Sequence, residues 1–191
     1  MPYAPLRPCA QPGCPELVKS GFCNKHKHSF GYYPNLRKPL TIEVIMVIGA
    51  PASGKSSFVA KNKKEGDIVL DLDVIKSEIS GKPLHSAHDK YIFEKALAFR
   101  NKTLETLQFT ENKGQVLWFV IGAPDKYDRQ KWKDLLRPSK VFIMQCSKKD
   151  CLSRIEQRKS ETEWEQMKAV ERWFSNYETM ENEIVVNTSN E

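Results

Sequence analysis

The sequence predicts a three-layer α/β domain with about five parallel strands, preceded by a small metal-binding module. Three observations carry this. Five short apolar runs alternate with longer amphipathic stretches from residue 41 onward. A glycine-rich loop follows the first run and opens a helix. Residues 1–30 have no helical or strand periodicity and are rich in Pro, Gly, Cys and Lys. The expected division is 1–30 as the small module, 31–40 as a linker with two prolines, and 41–191 as the α/β domain.

The first strand is read at Ile42-Glu43-Val44-Ile45-Met46-Val47-Ile48, a β-branched run typical of a strand buried on both faces. Further strands are expected at Ile68–Leu70, Val116–Ile121, Val141–Met144 and Ile184–Val186. Helices are expected from Lys55 to about Lys61, from about Ala87 to Thr110 and from about Thr162 to Glu181. Strands alternating with helices imply a parallel sheet covered on both sides. Trp118 and Phe119, on the third strand, are read as core.

No apolar run approaches the roughly 20 residues that span a bilayer, and no signal-peptide core follows the first residues. A cytoplasmic protein is expected. Residues 1–39 carry Arg7, Lys19, Lys25, Lys27, Arg37 and Lys38 against Glu16 alone, a net +5 of the chain's +6. A basic segment of this kind suits a polyanion.

The chemistry starts at Gly49-Ala50-Pro51-Ala52-Ser53-Gly54-Lys55-Ser56, a G-x-x-x-x-G-K-S pattern between a strand and a helix. Such a phosphate-binding loop curls its N–H groups around one anion, and the helix N-terminus adds partial positive charge. Gly49, Ala52, Ser53, Gly54, Lys55, Ser56 and Ser57 are the expected nucleotide-binding residues. Lys55 would hold the β- and γ-phosphates of ATP, and the Ser56 hydroxyl would sit on Mg²⁺.

After the second strand comes Asp71-Leu72-Asp73. Asp73 is the expected general base for an attacking hydroxyl, or else the cap of the following helix. Asp71 would assist through Mg²⁺-bound water. Arg154 and Arg158, four apart on an expected helix, share a face and could clamp the transferring phosphoryl group.

The series GAPASGKSS, DLDVIKSEI and RIEQRK resembles the 5′-kinase domain of phage-type polynucleotide kinases over most of residues 41–180. The resemblance implies catalytic roles for Lys55, Asp73, Arg154 and Arg158. It places Lys76 where the family carries an arginine for the acceptor's 3′-phosphate, and Arg129, near Trp132, at the acceptor end. Lysine in place of arginine at Lys76 loses the bidentate fork.

In the N-terminal fifth, Cys9-x4-Cys14-x8-Cys23-x2-His26 offers three thiolates and one imidazole, a closed tetrahedral zinc set, with His28 as a competing fourth ligand. This segment resembles the zinc-binding head of many phage HNH endonucleases, without their catalytic core. The combined expectation is an ATP-dependent kinase using Mg²⁺, with a Zn²⁺ head, that phosphorylates the 5′-hydroxyl end of a nucleic acid. Tyr32 and Tyr33 could stack on its bases or pack against the neighbouring domain. The alternatives are a small-molecule, nucleoside or nucleotide kinase whose head is a docking element, and a nucleic-acid-binding ATPase. Adenine contacts are expected near Asn187–Ser189.

Overall fold

A computed structural model describes residues 7–8, 15–18, 32–85, 89–111 and 114–189. Two compact units divide after Asn35. In the first, β1 (Arg7–Pro8) pairs antiparallel with β2 (Leu17–Val18), and Tyr32 meets Tyr33 edge to face at 5.0 Å between ring centres. The expected zinc ligands Cys9, Cys14, Cys23 and His26, and His28 with them, lie outside the described residues. The second unit begins at Leu36, inside the stretch expected to be linker. Gln108 explains this: its Oε1 accepts the backbone N–H groups of Arg37 at 2.6 Å and Lys38 at 3.0 Å.

The second unit is built on β3 (Glu43–Gly49), β4 (Ile68–Asp71), β5 (Val116–Ile121), β6 (Lys140–Gln145) and β7 (Ile184–Asn187). All pairs are parallel and the spatial order is β4-β5-β3-β6-β7. Alternation along each strand sorts side chains onto two faces. Ile45 and Val47 of β3 join Trp118 and Val120 of β5 under Val59 of α1 (Lys55–Asn62). On the opposite face Phe119 packs at a tilt against Trp132 of α4 (Lys126–Leu136), with Arg100 of α3 (Lys90–Leu107) over the Trp132 ring. Trp118 and Phe119 are core residues, 5% and 0% exposed. A short α2 (Leu72–Ser80) follows β4, and α5 (Lys148–Arg158) packs on α6 (Glu163–Asn176).

Strand order reverses beside β3: from β3 the chain goes to β4 at one edge and back to β5, then crosses to β6 and β7 on the other side. In open α/β sheets such a switch point, at the carboxyl ends of the strands, is where ligands bind. Gly49 ends β3 there. Among the described residues, no helix is long and apolar enough to cross a membrane.

Candidate active site

The loop after β3 can curl because three of its residues have the right stereochemistry. A Cβ on Gly49 would lie 2.5 Å from Ser53 Oγ and 3.0 Å from Met144 Cβ, so only glycine fits. Ala52 (φ 61°) and Gly54 (φ 91°) are left-handed, a region where glycine is unstrained. Gly54 is the N-cap of α1 and supplies no side-chain cap, and the first turn has no acidic residue. By contrast α2, α4 and α5 are each capped by an Asp or Ser side chain. The leading N–H groups of α1 therefore point at the loop without a side-chain acceptor, as an anion site requires. Ser53 is fully buried, and its Oγ has no hydrogen-bond partner.

Lys55 lies back across the loop, its Nζ donating to the carbonyls of Gly49 at 2.9 Å and Ala50 at 2.6 Å. Burial lowers its pKa, opposed by Asp71 and Asp73. The Ser56 hydroxyl donates to Asp71 Oδ2 at 2.8 Å. Asp71 is buried and its other oxygen accepts from Asp73 N at 2.9 Å. Asp71, not Asp73, thus caps α2. Asp71 stands with Ser56 rather than with an acceptor: a hydroxyl and a carboxylate together suit a hard divalent cation such as Mg²⁺.

Freed from capping, the Asp73 carboxylate faces the cleft. Its Oδ1 is 2.5 Å from Lys76 Nζ and its Oδ2 3.3 Å from His85 Nδ1. Burial alone would raise the Asp73 pKa; the His85 contact and the Lys76 ammonium outweigh it and hold the carboxyl well below the usual range. A cleft of about 430 Å³ joins the phosphate loop, Asp73, Lys76, His85, Arg158 and Glu165. Burial lowers the Arg158 pKa and the charge of Asp73, which lines the same cleft, opposes that shift.

The two helical arginines of α5 part company. Arg158 lines the cleft. Arg154, expected beside it on the phosphoryl group, instead donates to the carbonyls of Ala52 at 3.2 Å and Thr188 at 2.5 Å, and to Cys146 Sγ at 3.3 Å. It braces the loop against the segment after β7, because the Ala52 and Thr188 carbonyls lie within its reach. Arg129, expected at the acceptor, is fully buried. Its guanidinium donates to the carbonyls of Ala123, Pro124 and Glu178 and to Glu183 Oε1, with the Tyr177 ring 5.2 Å away. Arg129 is a structural clasp with no face toward the cleft. The reading of the sequence missed His85, Glu165 and Gln166, which line the cleft from a loop and from α6. Among the described residues no cluster of three or more His, Cys, Asp or Glu could hold a metal.

A parallel five-stranded sheet, a glycine-rich phosphate loop at its switch point and a carboxylate opposite define a P-loop domain of the kinase type. The chain belongs to the AAA domain family, whose model matches residues 44–179. Residues 1–37 match a second family, a domain of unknown function (DUF8602). Among solved structures the chain is similar to a sugar kinase from Janibacter sp. HTCC2649, at 14% identity and a TM-score of 0.51, covering 77% of this chain and 86% of that one. It is similar also to a protein of Chloroflexus aurantiacus j-10-fl, at 18% identity and a TM-score of 0.51, covering 78% and 89%. At such identities the likeness establishes the fold. No curated protein sequence matches.

Proposed function

We propose that the chain is an ATP-dependent kinase that phosphorylates a hydroxyl of a small polar acceptor. The observation that carries this is the charge of the cleft. Lys55, Lys76 and Arg158 meet Asp71, Asp73 and Glu165 in about 430 Å³. That volume suits a small ligand, and the balanced charge is unlike the cation-dominated groove of a polyanion binder.

The loop from Gly49 to Ser56 fits the polyphosphate of ATP, on the evidence of the uncapped α1 terminus, the glycine at residue 49 and the orphaned Ser53 hydroxyl. Lys55 would hold the outer phosphates, and Ser56 with Asp71 the Mg²⁺. Bound there, MgATP supplies the transferable phosphoryl group. Asp73, ionised at neutral pH, orients the acceptor hydroxyl and takes its proton as the oxygen bonds to phosphorus. Arg158 faces the same space and offsets charge on the transferring group. The products are a phosphate ester and ADP.

The test is transfer of labelled γ-phosphate to sugars and other polyols, nucleosides and a 5′-hydroxyl oligonucleotide, beside Asp73→Asn. Label on a small alcohol, lost in the variant, supports the proposal. Release of free phosphate alone would leave an ATPase and overturn it.

The +5 charge of residues 1–39 favours a second reading. In it the acceptor is a polynucleotide 5′-hydroxyl, and a head folded by Zn²⁺ on Cys9, Cys14, Cys23 and His26 holds the strand through its lysines. Label appearing on the oligonucleotide alone, with about one zinc per chain that Cys14→Ser removes, would select this reading over the first.

A further inference from the structure

His85 takes no part in the motifs that define the site, yet its conformation is unusual. Its φ of 66° is left-handed, a region uncommon outside glycine, although histidine enters it more often than most, and one that persists where the surroundings enforce it. The enforcement is visible. Thr162 Oγ1 donates to the His85 carbonyl across 77 positions of sequence. Thr162 is the N-cap of α6, where a threonine hydroxyl ordinarily caps its own helix. Here it makes no cap bond. The hydroxyl is spent on His85 and accepts from Gln166 Nε2 at 2.9 Å. Gln166 Oε1 in turn accepts from Arg158 Nη1 at 3.4 Å. Thr162 and Gln166 are only 6% and 7% exposed, so water does not compete for these bonds.

The result is an unbroken series of contacts from Arg158 through Gln166, Thr162 and His85 to Asp73. We propose that His85 is a positioning residue for Asp73, held in its strained backbone by Thr162 and so coupled to the α5–α6 hairpin that carries Arg158. The role given to Asp73 rests on the kinase reading above. Geometrically, Lys76 takes Oδ1 and His85 takes Oδ2. When an acceptor hydroxyl competes with Lys76 for one oxygen, His85 keeps the carboxylate from turning about its Cβ–Cγ bond. Any movement of the hairpin toward the phosphate loop shifts the His85 backbone and the base with it. The phosphoryl-side cation and the base are thereby set together.

Four variants in the transfer assay, and a spectrum compared with that of Asp73→Asn, test this. His85→Ala should lower kcat by roughly tenfold to a hundredfold through misplacement of the base, with KM for ATP unchanged because the phosphate loop is untouched. His85→Asn should recover part of the loss, since asparagine accepts a left-handed backbone and offers a donor. Thr162→Val should lower kcat in the same direction, and Thr162→Ser should stay near wild type. Unchanged kcat in His85→Ala, or a loss of kcat matched by a rise in KM for ATP and by unfolding, overturns the positioning role. Wild-type kcat in Thr162→Val overturns the coupling. The contact itself is read without any acceptor, in protein labelled with ¹⁵N at histidine: the Nδ1 resonance that His85→Ala removes should move in Asp73→Asn. If it does not move, the pair does not exist. If the wild-type chain phosphorylates no acceptor, the kinase reading fails, and the ¹⁵N spectrum still decides whether His85 holds Asp73.

Discussion

Asp73 carries a different burden from Asp71, although only two positions separate them at the junction of β4 and α2. Asp71 is consumed by Ser56 and by the first turn of α2, while Asp73 is held by Lys76 and His85. With its folded pKa depressed below the unfolded value of about 3.9, Asp73 contributes stability that is fully present above that value. The contribution is lost as pH falls through the folded pKa. Wild type should therefore melt higher than Asp73→Asn at pH 7, and thermal melts down to acid pH should show the gap closing below about pH 4. Lys55→Met removes the cation that the loop holds over its own carbonyls, and kcat should drop by roughly 10²–10³-fold in the transfer assay. Gly49→Ala forces Ser53 and Met144 apart and should abolish nucleotide binding measured by calorimetry, since the clash at 2.5 Å lies inside the loop itself. Of these residues, the loop was legible in the sequence because its chemistry is local: eight consecutive residues between a strand and a helix. His85 was not legible, since it lies in a loop without periodicity. Its significance comes from Thr162 and Asp73, which sit 77 positions after it and 12 before it.

At the scale of elements, strands were the easier part to read. Apart from Glu43, which is exposed at its start, Ile42–Ile48 is apolar because β3 is central and buried on both faces, and the observed strand is Glu43–Gly49. The helix expected over about 87–110 runs from Lys90 to Leu107, started by the Asp89 side chain on Tyr91 N. The arginines were read by spacing alone, and spacing does not say what a helix face meets. Arg154 shares a face with Arg158, yet the Ala52 and Thr188 carbonyls claim it. Arg129 meets Glu183, 54 residues on, at 3.0 Å in a setting where both side chains are almost wholly buried. Breaking a buried pair costs roughly 3–5 kcal/mol. Lys133 remains 3.3 Å from the same Glu183 oxygen, which places Arg129→Met toward the low end. At roughly 2–4 °C per kcal/mol for a chain of this size, the melting temperature should fall by about 6–12 °C. The KM for ATP of the folded protein should hold, as the clasp does not reach the phosphate loop.

On the scale of the whole molecule, the residues that form the cleft all belong to the unit from Leu36 onward. A chain starting at Leu36 should bind ATP as the full chain does, measured by the same calorimetry. If affinity collapses, residues 1–35 take part in the nucleotide site. Within that unit the sheet is wholly parallel, so every pairing spans a long stretch of sequence. Thr188, just after β7, adds a longer link: its hydroxyl donates to the Ser53 carbonyl at 2.8 Å from 135 residues away, while its own carbonyl takes Arg154. On the ribosome the phosphate loop emerges long before its keystone does. A nucleotide that binds the loop braced in this way rewards the sheet with its last strand in place, so ATP affinity should report on finished folding.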